Sequence, residues 1–86
     1  MKVDFTKAFN KQFEKLPKQR QIKARMTIDL FLQNVEAPSL RTHALKGEWL
    51  GFHSISAGGN LRLHFEIIDS NTILFVAVGS HSQLYK

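Results

Sequence analysis

Along the first third of the chain, apolar residues recur at helical intervals. Phe9, Phe13 and Leu16 fall on one side of a helix over residues 6–16, with Phe5 one turn earlier and Lys7, Lys11 and Lys15 on other faces. Thr6 or Asp4 can cap its start. Pro17 suits the first turn of a second helix, in which Ile22, Met26 and Leu30 recur every four residues, joined by Phe31 and Leu32. The pattern predicts a helical hairpin. Periodicity is then lost from Asn34 to Leu40, where Pro38 and Ser39 mark the connection out of the helices.

From Trp49 onward the period becomes two. A run ending in Phe52-His53-Ser54-Ile55-Ser56 reaches a turn at Ala57-Gly58-Gly59-Asn60; Leu61, Leu63, Phe65 and Ile67 then alternate with Arg62, His64 and Glu66. Asp69-Ser70-Asn71 makes the next turn. The nearly all-apolar run Thr72 to Val78 is expected to be a central strand covered on both sides. Lys2-Val3-Asp4-Phe5 can add an edge strand, which gives β-α-α-β-β-β: an α+β domain with a helical hairpin on a mainly antiparallel four-stranded sheet. One sheet face is then left partly open.

Length and composition narrow the classes of function. Eighty-six residues make one domain, 1–86, and 43% apolar residues suffice for a core without staples. With no cysteine there is no disulfide scaffold, thiolate nucleophile or Cys-ligated metal. No apolar stretch approaches the roughly 20 residues of a membrane span, and no signal-peptide core follows the first residues, so a cytoplasmic protein without membrane contact is expected. The net charge of +5 points to an anionic partner, nucleic acid first. Residues 1–35 hold the surplus, with eight basic side chains against Asp4, Glu14 and Asp29. The same lysines also fit the solvated faces of two helices.

The four histidines, His43, His53, His64 and His81, are the main candidate acid–base groups. His43 precedes the strand meander and His81 follows it, so an antiparallel sheet can bring both to one open face or edge, around a scissile phosphate. One group would take the proton of a ribose 2′-hydroxyl, cations would stabilise the crowded phosphorane, and a second group would protonate the leaving oxygen. Arg62 points away from the Leu61/Leu63/Phe65 side, as a phosphate clamp or as the salt-bridge partner of Glu66. His64 reads as an exposed cross-strand neighbour of that side or as a substrate contact. His53 is ambiguous: Trp49 and Ile55 share its parity, whereas Leu50 and Phe52 have the other. Tyr85 can stack on a base or pack the terminus. There is no two-His helical spacing and no carboxylate cluster beside these histidines, so neither a metal nor a cofactor is expected.

Three segments together resemble the RelE/ParE superfamily of toxins from bacterial toxin–antitoxin pairs, most closely its YafQ branch. They are His43-Ala44-Leu45-Lys46-Gly47-Glu48-Trp49-Leu50-Gly51-Phe52, Gly59-Asn60-Leu61-Arg62-Leu63-His64-Phe65 and Val78-Gly79-Ser80-His81-Ser82-Gln83-Leu84-Tyr85. The resemblance implies the RelE-like fold and a ribosome-dependent endoribonuclease that cuts mRNA in the A site, silenced by a cognate antitoxin. The toxin–antitoxin pair would be able to bind its own operator DNA. By position, His43 and His81 match histidines implicated in catalysis, Tyr85 the closing aromatic, and Arg62 a phosphate-holding arginine. Lys46 joins Arg62 at the phosphate, and His53 or His64 would stand in for a missing histidine. Where the branch carries Arg-Asp-x-His, this chain has His53-Ser54-Ile55-Ser56, and a later aspartate is replaced by Asn60. The alternative within the superfamily is a ParE-like toxin that blocks DNA gyrase without nuclease chemistry. A degenerate toxin that only binds an antitoxin is a third reading.

Overall fold

In the computed structural model, which describes residues 1–85, the strand β1 (Lys2–Phe5) leads into the helix α1 (Lys7–Glu14). Thr6 caps this helix, its hydroxyl accepting the Phe9 N–H at 3.1 Å. Pro17 precedes α2 (Lys18–Gln33), and its carbonyl accepts the first hydrogen bonds of the helix, from the amides of Arg20 and Gln21. A 3₁₀ turn at Pro38–Leu40, the short strand β2 (His43–Ala44) and a second 3₁₀ turn at Gly47–Trp49 follow. Three longer strands complete the sheet: β3 (His53–Ser56), β4 (Leu61–Asp69) and β5 (Thr72–Ser80). The one-turn helix α3 (His81–Leu84) comes after them.

The strands form one sheet in the order β1-β5-β4-β3-β2, antiparallel except for the parallel pair β1–β5. The α+β architecture with its helical hairpin is the expected one, with a fifth strand added. Residues 43–44 make that strand by pairing with Ser54 and His53; two residues are too few to show an alternation.

The core lies between the helices and one face of the sheet. Leu61, Leu63 and Phe65 of β4 meet Ile55, Ile73, Phe75 and Val78 there, and Phe31 of α2 closes on Phe65 with ring centroids 5.0 Å apart. The register steps from His64↔Ala77 to Phe65↔Phe75, which leaves Val76 without a partner on β4. Leu74 and Val76 are only half-buried, so β5 is not covered on both sides throughout. Beyond the reach of β1, the free N–H of Val78 donates to Gln12 Oε1 at 2.9 Å and fastens α1 to the sheet.

The expected inner face of α2 is corrected. Ala24, Thr27, Ile28 and Phe31 are buried, at the i, i+3, i+4, i+7 positions of one face. Ile22 and Met26 are 47% and 64% exposed on the far side, and Leu32 is exposed as well. Small side chains at 24 and 27 let the helix sit close to the sheet, which the larger Ile22 and Met26 would prevent. Among the described residues no helix is long and apolar enough to cross a membrane.

Candidate functional site

The face of the sheet away from the helices carries the candidate chemistry. His43, Ser54, His64 and Ala77 are successive register partners across β2, β3, β4 and β5, so their side chains share that face. The row two residues along contains Ser56, Arg62 and Gly79. His81 and Tyr85 reach the same face from α3 and the residue after it. The His81 N–H donates to Asn60 O at 2.8 Å, docking α3 on the β3–β4 turn. A capping box between Ser80 and Gln83 starts that helix. The indole of Trp49 donates to Leu84 O at 3.0 Å and holds its end.

His64 lies beneath these groups with 0% of its surface exposed. Trp49 stands edge-on to its ring at 4.4 Å, and the Tyr85 hydroxyl is 3.2 Å from its Nε2. The exposed position expected for it is therefore corrected: Trp49 and Tyr85 roof over the face that strand alternation makes outward. Burial pulls the imidazole down from 6.5 to about 4, and positive charge on His43 and His81 adds to the effect. Its Nδ1 and the neighbouring Ser54 hydroxyl are buried without hydrogen-bond partners among the described residues. Burial raises the Tyr85 phenol above its usual range, partly offset by the Arg62 charge and by the nearby Ser54 hydroxyl. Tyr85 is thus a neutral phenol near pH 7, and its ring lies 4.4 Å from that of His81.

His43 is exposed at the rim, with Nδ1 2.9 Å from the carbonyl oxygen of Arg41. A carbonyl only accepts, so this contact places the proton on Nδ1 and leaves the Nε2 lone pair free. Arg62 is held by Nη1, which donates to Ser56 Oγ, Gly59 O and Leu61 O at 3.2, 3.0 and 3.0 Å. It is not the partner of Glu66; the ion pair present among the described residues joins Lys2 and Asp4.

The structure thus brings His43, His64, His81, Tyr85 and Arg62 to one face. Lys46 is exposed at the start of the 3₁₀ turn to Trp49, and among the described residues no hydrogen bond or ion pair fixes its ammonium. His53 is not brought to this face. It pairs with Phe65, stacks on that ring at 5.4 Å on the helix side, and lines an apolar groove with Phe31 and Val35. Trp49 and Ser54 also lie at this face, and neither residue type signals acid–base chemistry. Trp49 lies in a 3₁₀ turn followed by Gly51 at φ 94°, so counting strand parity from it fails. Among the described residues no group of three or more His, Asp or Glu side chains is arranged to hold a metal ion.

A family model described as a bacterial toxin of type II toxin–antitoxin systems, YafQ, matches residues 1–86. No curated protein sequence matches significantly. Among solved structures, YafQ from E. coli superposes with a TM-score of 0.82 at 16% identity, over 98% of this chain and 97% of that one. A copper-bound mutant toxin from Helicobacter pylori gives 0.72 at 25% identity, over 98% of each chain. The E. coli DinJ–YafQ toxin–antitoxin complex gives 0.79 at 17% identity, over 98% and 96%.

Proposed function

The chain belongs to the YafQ family of toxins from type II toxin–antitoxin systems, and we propose that it acts as a ribosome-dependent endoribonuclease that cuts mRNA in the A site. The observation that carries this reading is the grouping of His43, His81, Tyr85 and Arg62 on one open face, with the His43 tautomer held by Arg41 O. His43 Nε2 takes the proton of the ribose 2′-hydroxyl, whose oxygen attacks the adjacent phosphorus. Arg62 offsets the charge that builds on the phosphorane, with the exposed Lys46 as a second cation for the phosphate. The bond to the 5′-oxygen breaks as His81, in its imidazolium form, protonates that oxygen, leaving a cyclic phosphate. Two imidazoles and a guanidinium are sufficient for this sequence of steps, without a metal. Tyr85 packs against His81 with the rings tilted by 33° and stands edge-on over His64, where it can orient a base. His64 sets Tyr85 from below and does not itself meet the substrate.

DinJ and YafQ form a toxin–antitoxin complex in E. coli, and a cognate antitoxin is the corresponding partner here. The exposed Ile22 and Met26 of α2 lie among Lys18, Lys23 and Arg25 with one acid, Asp29, a surface of net positive charge suited to an acidic amphipathic segment. Binding of operator DNA by the pair, and action in the cytoplasm, follow from the same reading. The test is induced expression of the wild type, His43→Ala and His81→Ala, with primer extension on abundant messengers. Cuts within translated codons that vanish in both variants are expected. Growth arrest with intact messengers would overturn the nuclease and place the protein in the gyrase-blocking or another binding class.

A further inference from the structure

Beside the histidine row, a recess of about 320 Å³ is lined by Ser39, Arg41, Ser56, Gly58, Gly59 and Arg62. Two arginines and two serines line one space, and no acidic residue lines it. Neither guanidinium is neutralised by a carboxylate, because the ion pair among the described residues lies elsewhere, at Lys2–Asp4. Two uncompensated charges in one recess repel each other, and an anion relieves that cost. Arg62 is already immobilised through Nη1, so little of its freedom is left to lose on binding.

Arg41 has the one left-handed non-glycine backbone among the described residues, at φ 48°. This conformation ends the 3₁₀ turn at Pro38–Leu40, with the Arg41 N–H on Pro38 O at 3.2 Å. The same residue offers its carbonyl to His43, so the recess and the proposed base are joined through a single residue. Gly58 and Gly59 have positive φ, and an added Cβ at either would meet nothing within 4 Å, so this wall is open to a ligand. The Ser56/Arg62 row is two strand residues from the Ser54/His64 row, roughly 7 Å. That separation matches the step between successive phosphates of an extended single strand.

We propose that Arg41, with Ser39 and Ser56, extends the phosphate site of Arg62 into an anion subsite for the phosphodiester next to the one that lies between His43 and His81, Arg62 standing between the two phosphates with Nη2 and Nε not engaged by the protein among the described residues. The proposal rests on the nuclease reading for its choice of ligand. Guanidinium pairs and hydroxyls suit the non-bridging oxygens of a phosphodiester.

The experiment is an NMR titration of the ¹⁵N-labelled full chain with dimethyl phosphate and, in parallel, with acetate. The expected result is a saturable shift of the Gly58 and Gly59 amides with dimethyl phosphate, weakened about tenfold in Arg41→Gln and much less in Arg41→Lys. The two variants must give the wild-type spectrum without ligand, which the exposed position of Arg41 favours. Equal response to acetate would overturn the phosphodiester assignment in favour of a carboxylate from a protein partner. No shift at Gly58 and Gly59, or one that Arg41→Gln leaves unchanged, would overturn the subsite itself. The source is separated by an RNA trimer with 2′-deoxyribose at the cut position and either a charged or a neutral methylphosphonate flanking linkage. Wild type should prefer the charged trimer about tenfold and Arg41→Gln should not distinguish the two; a preference unchanged by the substitution would sink the RNA assignment. Dimethyl phosphate binding in a toxin that leaves messengers intact would sink the nuclease and leave the subsite standing.

Discussion

Acidification should weaken the fold through His64, and removing that imidazole should abolish the effect. In the unfolded chain the group titrates near 6.5, whereas burial under Trp49 and Tyr85 brings it to about 4 in the folded protein. Its folded value is depressed, so its contribution is fully present above 6.5 and is lost as the pH falls toward 4, because only the unfolded chain binds the proton in that window. A displacement of roughly two and a half pH units at about 1.4 kcal/mol each is about 3 kcal/mol, a large part of what a domain of this size has. Urea unfolding at pH 7, 6, 5 and 4 measures it directly. The wild type should lose stability between pH 6.5 and 4 with a slope approaching 1.4 kcal/mol per pH unit. His64→Leu, close in volume, should be nearly flat across that interval, apart from contributions common to both proteins. Parallel pH profiles for the two proteins would refute the argument. They would mean that His64 takes up its proton in the folded state without cost, and that the roof over it admits water.

Tyr85→Phe leaves the ring on His81 but deprives buried His64 of its one hydrogen-bond partner among the described residues, at a cost of about 1–3 kcal/mol. The melting temperature should fall by roughly 5–15 °C, and adding His64→Leu should recover most of that loss; an unchanged melting temperature would show that the 3.2 Å contact contributes nothing. On α2, Phe31→Ala should cost about 3–5 kcal/mol, whereas Met26→Ala should change stability by less than about 0.5 kcal/mol and weaken antitoxin binding instead. The two denaturant midpoints decide which face of the helix is inside.

The local signals in the chain were the legible ones. Thr6 capping, the Phe9–Phe13 spacing and the Leu61/Leu63/Phe65 alternation each record a single element burying a single face. The turn glycines could be read because Gly58 and Gly59 adopt positive φ, which few other residues tolerate. The inner face of α2 could not be read, because apolar side chains lie all round that helix. What selects Ala24 and Thr27 is the close approach of the sheet, a tertiary fact. The side taken by His53 was hidden because the 3₁₀ turn at Gly47–Trp49 resets the alternation before β3 begins. Trp49 and Tyr85 come together over His64 from positions 36 residues apart, and nothing local at either position indicates it. The recess at Arg41 and Arg62 is non-local in the same way. Arg41 and Arg62 are ordinary surface arginines until the β3–β4 turn and the 3₁₀ turn at Pro38–Leu40 bring them together.

β4 is the strand on which stability and chemistry divide. Leu61, Leu63 and Phe65 fix it to the helices, and the intervening Arg62 and His64 carry the other face, so the core and the site share one backbone. The other half of the site has a lighter foundation. His81 and Tyr85 stand on a single helical turn, held by His81 N–Asn60 O, Trp49 Nε1–Leu84 O and the Ser80–Gln83 capping box. Gly79 protects that last element. A Cβ there would lie 3.0 Å from Gln83 Oε1, the oxygen that accepts the Ser80 N–H at 2.8 Å. The amide cannot retreat without giving up the cap, so a side chain at position 79 would loosen the turn that carries His81. A rigid acid–base pair therefore needs both supports: a core strand beneath His64 and Arg62, and an unobstructed glycine beneath the turn that presents His81 and Tyr85.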